Sequence, residues 1–389
     1  MALLLGGLAM LGPISIDLFL PAIPAMAEDL GVSIGSIELT LTAIFAGIAF
    51  GQILYGPLSD KFGRKPVILV TLFLFGTSTI AVAQATTLEP IIFWRFVQGI
   101  LSASGRIIAN AVARDQFEGE RLGKLISLIF LVSISASVLN PIVGGLLVST
   151  YGWQSVFLGM TFYAACLFFA VLAYFKETLV VKDATAINPV TLLNNFILIS
   201  KNREFVICML SGGFALGGFV AFLSSSAGVA NSVFELGAQK YSFYFAGVIL
   251  VILIITFISS RFVDRIGIHR LIIIGGILQF LGGISMLVFT LAGVKDPWSI
   301  FGTMAVFAIG FSLLWPLSTA KALNPFQTMA GTASSFLGFL QNLMGAGVSA
   351  VLALIIDGTA LPMATTIAIC GSASALFYLL IPSRPKQQN

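Results

Sequence analysis

The chain has 389 residues, of which 58% are hydrophobic and only 9% charged. Soluble domains carry about 25% charged residues, so a soluble globular protein is excluded, and a net charge of +4 confined to certain segments does not suggest a nucleic-acid partner. Cys166, Cys208 and Cys370 all lie in apolar runs; they form neither a disulfide framework nor a metal-ligand spacing and read as small buried hydrophobes.

A helix needs about 20 apolar residues to cross about 30 Å of hydrocarbon. Twelve such spans can be marked, at 3–26, 35–57, 66–86, 89–113, 123–148, 154–175, 204–231, 240–261, 270–294, 297–318, 330–356 and 360–382. The expected fold class is an all-α polytopic membrane protein. The first span has no basic region and reads as a membrane helix rather than a cleaved signal peptide. One connection, 176–203, is long, and it separates the spans six and six. The expected organisation is therefore an N-terminal bundle over 1–175, a linker, and a C-terminal bundle over 204–389. Within the linker, Asn188-Pro189 reads as an N-cap and first-turn proline, and Val190, Leu193 and Ile197 share a face, predicting a short interfacial helix.

Lys and Arg set the expected orientation. Sixteen of them fall on one side, among them Lys61, Arg64, Lys65, Lys182, Arg265, Arg384 and Lys386, against Lys240 and Lys295 on the other. By the positive-inside rule the basic side, with both termini, is cytoplasmic.

Charges within a span cost about 2.5–3.5 kcal/mol each on insertion scales, which singles out Asp17, Arg95 and Arg106. Burial favours the neutral form of a carboxyl, so Asp17 is suited to take a proton from one side and release it on the other, or to attract a cationic substrate. Arg95 and Arg106 are three turns apart, about 16 Å. Gln98 and Asn110 extend their stripe, which predicts one polar helix face directed into a central cavity. Gln52, Asn140, Asn231, Gln279, Gln341 and Asn342 read as helix–helix hydrogen bonds.

A charged decapeptide, Gly56 to Lys65, joins the second and third spans, and a weaker copy, Asp264-Arg265-Ile266-Gly267 with Arg270, follows 204 residues later. Gly56 and Gly63 are expected to permit the turn. Asp60 is suited to accept from backbone N–H groups at a helix start, and Asp115 is the expected acid for Arg64. Gly144-Gly145 and similar pairs allow close helix approach.

The decapeptide resembles the signature loop of the major facilitator superfamily. Arg95, Gln98 and Gly99 resemble its fourth-helix pattern. Asn140-Pro141-Ile142-Val143-Gly144-Gly145 resembles its fifth-helix antiporter pattern, with Ala136 and Asn140 where glycines are usual. Asp17 with Leu20-Pro21-Ala22-Ile23-Pro24, the run Gly331 to Ser335, and Ser383-Arg384-Pro385-Lys386 resemble the bicyclomycin/chloramphenicol-resistance subfamily of drug:proton antiporters. The resemblance implies two six-helix bundles with a midplane cavity and alternating access. It implies Asp17 as the proton or substrate-cation site, tuned or relayed by Arg95. It also implies Asp60, Arg64 and Asp115 as a conformational latch. Arg106 belongs to no motif of the family.

The expected function is proton-driven export of small hydrophobic compounds from a bacterial inner membrane by a monomer, with the proton as coupling ion and no cofactor. A metabolite such as an amino acid or nucleobase is the alternative cargo. A single histidine, His269, and the lack of a phosphate-binding GxxxxGK[ST] loop argue against an enzyme or an ATP-driven pump.

Overall fold

A computed structural model describes residues 2–117, 119–179 and 189–380. Lys182, Asn188, Arg384 and Lys386 lie outside the described residues. Among those described, all regular structure is helical: α1 (Ala2–Ala9), α2 (Leu11–Asp17), α3 (Ile23–Leu30), α4 (Ile34–Phe62), α5 (Arg64–Ala83), α6 (Leu88–Gln116), α7 (Gly119–Tyr151), α8 (Gln154–Tyr174), α9 (Pro189–Ser200), α10 (Arg203–Ser232), α11 (Ala238–Ile266), α12 (Ile268–Leu291), α13 (Trp298–Leu323), α14 (Ala330–Ile355) and α15 (Leu361–Leu379). Among the described residues twelve stretches are long and apolar enough to cross a membrane, the first built from the pieces of α2 and α3.

The first span breaks because of its prolines. Pro21 has no N–H to offer the Asp17 carbonyl. The backbone tightens instead: the Phe19 amide donates to Ile16 O at 3.1 Å and the Ala22 amide to Phe19 O at 2.8 Å, through a 3₁₀ turn at Leu20–Ala22. Asp17 is the last residue of α2, at the break.

Helix α4 passes straight through Gly56 and Pro57 and ends only at Gly63, whose φ of 105° makes the turn into α5. The eight-residue turn expected between 57 and 66 is thus one residue, and Gly56 has no part in it. Gly267, with φ 88°, repeats this device between α11 and α12. Such backbone angles suit glycine because no Cβ obstructs them.

The helices pack as two six-span bundles. In the first, α4 lies on α6 and α5 on α8; in the second, α12 lies on α13 and α15. Across the divide, α4 meets α14 and α7 meets α11. Helix α9 packs on α10 and α14, with Phe196 stacked on Phe336 at 4.4 Å. Val190, Leu193 and Ile197 remain exposed on its other side. Cys166 is exposed on α8, against the expectation of burial, while Cys208 and Cys370 are buried. The end of the molecule bearing Lys61, Arg64, Lys65 and Lys176 is called the basic face below, and the end bearing Glu28, Asp29, Glu89 and Asp357 the acidic face.

Candidate functional site

A cavity of about 960 Å³ lies between the bundles. Asp17 stands at its deep end, and Asp60, Arg64, Arg114 and Asp115 stand where it approaches the basic face. Phe45, Phe130, Phe196, Phe219, Leu223 and Trp315 give it a largely apolar wall. Its polar lining includes Gln52, Arg106, Asn110, Ser137, Gln341 and Asn342.

Asp17 is only 6% exposed. Ser137 on α7 lines the same cavity. Neither Arg95 nor Arg106 forms an ion pair with it among the described residues.

The polar stripe expected along α6 divides in two. Arg106 and Asn110 line the cavity, and Arg106 is exposed there with no acidic partner among the described residues. Arg95 and Gln98 are fully buried inside the first bundle and do not line the cavity. Arg95 Nη1 donates to Ser15 O at 2.8 Å and to Gln98 Oε1 at 2.7 Å, and its guanidinium lies 4.4 Å from the Phe19 ring. Ser15 O is the carbonyl that the Phe19 amide abandons at the break. Arg95 thus secures the broken backbone beside Asp17 and makes no direct bond to the carboxyl, so it lacks the contact a proton relay between them requires.

At the basic face the Arg64 side chain donates to four oxygens, Asp115 Oδ1 at 3.5 Å among them. Its Nη1 donates to Ser59 Oγ at 2.6 Å and to Asp60, and its Nε donates to Asp115 Oδ2 at 3.1 Å. Asp60 does not cap a helix start. That role belongs to Glu177, which the sequence reading passes over: its oxygens accept from the amides of Arg64 at 3.0 Å and Lys65 at 3.1 Å. Burial pushes the Glu177 carboxyl up, but four backbone amides donating to it outweigh this and hold it below its ordinary value. All of these contacts stay within the first bundle and its exit segment. Thr178 Oγ1 adds a bond to Asp115 at 2.9 Å.

The glycine pair of α7 serves two separate interfaces. A Cβ on Gly144 would strike the Leu18 carbonyl, next to Asp17. One on Gly145 would lie 3.0 Å from the Ala238 carbonyl of α11, across the divide, with Ser242 nearer still. Asn140, one turn earlier, is buried with Nδ2 unpartnered, and Pro141 continues the helix between them.

Of the amides read as helix–helix bonds, only Gln341 bridges helices, accepting from Trp315 Nε1 at 3.2 Å. Asn342 bonds back to Gly338 O in its own helix, and neither side-chain polar atom of buried Gln279 has a partner. Asn231 borders a second cavity of about 570 Å³ near the acidic face, with Glu28 and Tyr241.

Above the main cavity the bundles are sealed by polar contacts. Thr42 Oγ1 donates to Ser349 Oγ at 2.9 Å, Ser224 bonds the same hydroxyl at 2.9 Å, and Ser225 Oγ donates to Glu38 Oε2 at 2.9 Å. Glu38 escapes the sequence reading because it sits one turn inside its span, where an acid passes for a headgroup residue. The run Ser224-Ser225-Ser226 within an apolar span is the signal that could have drawn attention to this seam.

A family model described as Major Facilitator Superfamily matches residues 5–350. The chain is 30% identical over 382 residues to a bicyclomycin resistance protein homolog of Haemophilus influenzae, covering 98% of this chain and 96% of that one. It is 29% identical over 363 residues to multidrug resistance protein D of Escherichia coli, covering 90% and 88%. In fold it resembles the xylose transporter of E. coli in a partially occluded inward-open conformation, with a TM-score of 0.75 at 16% identity over 98% of each chain. It also resembles a peptide transporter, with a TM-score of 0.78 at 14% identity over 97% of this chain and 93% of that one. With twelve spans in two bundles and a family match over most of its length, this chain belongs to the Major Facilitator Superfamily.

Proposed function

We propose that this chain exports small hydrophobic compounds in exchange for protons by alternating access. The observation that carries the reading is Asp17: an acid at a helix break, at the head of an apolar cavity, with no cation paired to it. The names of the relatives, bicyclomycin resistance and multidrug resistance, favour drugs or toxic compounds as cargo. The aromatic and aliphatic lining agrees with cargo that is hydrophobic rather than a sugar or peptide.

The excess of Lys and Arg assigns the basic face to the cytoplasm of a bacterial inner membrane. The cavity then opens inward, and the acidic face is the closed outer gate. Hydrophobic cargo enters from the cytoplasmic side while Asp17 releases a proton there. The outward-facing state reverses both events. One charge crossing 100 mV supplies about 2.3 kcal/mol, or roughly a fifty-fold gradient, so one proton per neutral molecule suffices. Coupling requires that proton and cargo favour different states or compete for one site. The working unit on this reading is a monomer of two bundles, 1–175 and 204–389, joined through 176–203, with the proton as coupling ion and no cofactor. Arg64, Asp60 and Asp115 act as the cytoplasmic latch, anchored by Glu177.

The test is Asp17→Asn in proteoliposomes with an imposed pH gradient. Loss of drug-driven proton release together with pH-driven efflux is expected. Unchanged pH-dependent transport would remove Asp17 from the mechanism.

A further inference from the structure

Glu38 is fully buried and stands on the one face of α4 that looks at the second bundle. That face reads Gly35, Glu38, Thr42, Phe45 and Gln52. Its upper part is sealed against α10 and α14, and its lower part lines the cavity. Oε2 accepts the single bond from Ser225, and Oε1 has no partner. Gly228 on α10 leaves room for Oε1, since a Cβ there would come within 3.4 Å of it.

Among the described residues no cation pairs with Glu38. At this level α10 brings only serines and Gly228, its charged residues Arg203 and Glu204 lying at the opposite end. Helix α14 contains no charged residue. Helix α6 brings exposed Glu89, its arginines lying deeper, and α5 carries Arg64 and Lys65 at its far end. Helix α3 brings Glu28 and Asp29, both exposed, and Asp29 accepts from Trp153 Nε1 at 2.8 Å. On α11 the Tyr241 hydroxyl is bonded to Ser226, and Lys240 beside it is exposed. An ionised Glu38 would have one oxygen on a hydroxyl and the other on nothing, an arrangement buried charges do not tolerate.

We infer that Glu38 is a second proton-carrying residue of the transport cycle, closing the gate at the acidic face only as the neutral acid and releasing its proton to the solution there when α4 parts from α10 and α14. The chemistry is one O–H bond broken, the proton passing to water and the carboxylate becoming hydrated. In water a glutamate titrates near ~4.3, so the opened gate ionises at ordinary pH and must regain a proton to shut. The ratio of open to closed gate then rises about tenfold per pH unit, and acid outside drives the return to the inward-facing state. This rests on the alternating-access reading above but involves a different residue from Asp17.

The experiment measures spin-label distances across the gate, with Ser33→Cys on the α4 side, Thr359→Cys beyond α14, and Cys166→Ser to remove the exposed native thiol. Both the starting protein and an Asp17→Asn version should show the longer distance gaining population by about a hundredfold in ratio between pH 5.5 and 7.5. In Glu38→Gln, which mimics the neutral acid, the short distance should dominate at every pH. Glu38→Asp, which keeps an acid but cannot reach Ser225 equally well, should keep the pH response with a displaced midpoint. Two populations whose ratio ignores pH, or a response that survives in Glu38→Gln, overturn the inference and leave alternating access standing. A single distance under all conditions overturns both.

Discussion

Arg95 and Ser15 are 80 positions apart, and the guanidinium of one completes the backbone of the other, Nη1 donating to the carbonyl at 2.8 Å. The bond stands where Pro21 and Pro24 prevent the first span from satisfying itself, two residues from Asp17. Arg95 is a positioning residue on this geometry. Arg95→Ala removes a charge-assisted bond worth about 1.5–3 kcal/mol and the ring contact with Phe19, for an expected loss of about 2–4 kcal/mol. Thermal unfolding in detergent checks it. Arg95→Lys should recover only part, because an ammonium could still donate to Ser15 and Gln98 but lacks the flat guanidinium that lies over the Phe19 ring.

Arg106 behaves oppositely. It faces the cavity without an acidic partner among the described residues, so Arg106→Ala should change unfolding by no more than about 0.5 kcal/mol. Its charge acts on cargo instead. At an effective dielectric of about 20, two charges about 10 Å apart interact by about 1.7 kcal/mol. Competition assays with paired anionic and cationic compounds should show the anion losing and the cation gaining affinity by on the order of tenfold each. Equal losses for both classes would mean that the side chain serves packing.

Glu177 holds the first turn of α5 through the amides of Arg64 and Lys65. Burial opposes its ionisation, but the backbone donors prevail and its folded-state value lies below the ordinary one. A depressed carboxyl contributes stability above its unfolded value, and that contribution disappears as pH falls through the folded value. The turn at Gly63 should therefore stay ordered at neutral pH and loosen only in acid below about pH 4. Amide hydrogen exchange at Arg64 and Lys65 reads this directly. Glu177→Gln should exchange faster at pH 7 and lose the acid dependence.

Gly144 and Gly145 are neighbours with separable effects. An alanine at Gly145 pushes α7 from α11 across the divide, costing the state with the acidic face closed about 1–3 kcal/mol. The open-to-closed ratio at that face should rise accordingly, by about five- to 150-fold, as read by distances between α7 and α11. An alanine at Gly144 meets the Leu18 carbonyl within the first bundle. It should lower thermal stability and leave that ratio unchanged.

The sequence displays the prolines after Asp17 and the arginine stripe on α6, but not which groups they meet. A period of 3.6 tells which residues share a face. Along a helix as long as α6, however, one face passes different neighbours at different depths. Near Arg95 it meets α2 and α8; near Arg106 it meets the space between bundles. Gln279 and Gln341 look alike in sequence, and only the packing leaves one bonded to Trp315 and the other to nothing. Glu38 escaped notice because hydropathy averages over a window, so an acid one turn inside an edge barely registers.

Span number, the paired halves, the basic face and the buried acid of the first span all follow from composition and spacing, because lipid forces backbone to satisfy itself within helices and makes each intramembrane charge conspicuous. Which arginine supports a backbone and which faces cargo, which acid caps α5, and that Glu38 sits in the closed seam were decided by tertiary structure. Those assignments depend on contacts between helices far apart in the chain, and close packing rather than periodicity selects the partners.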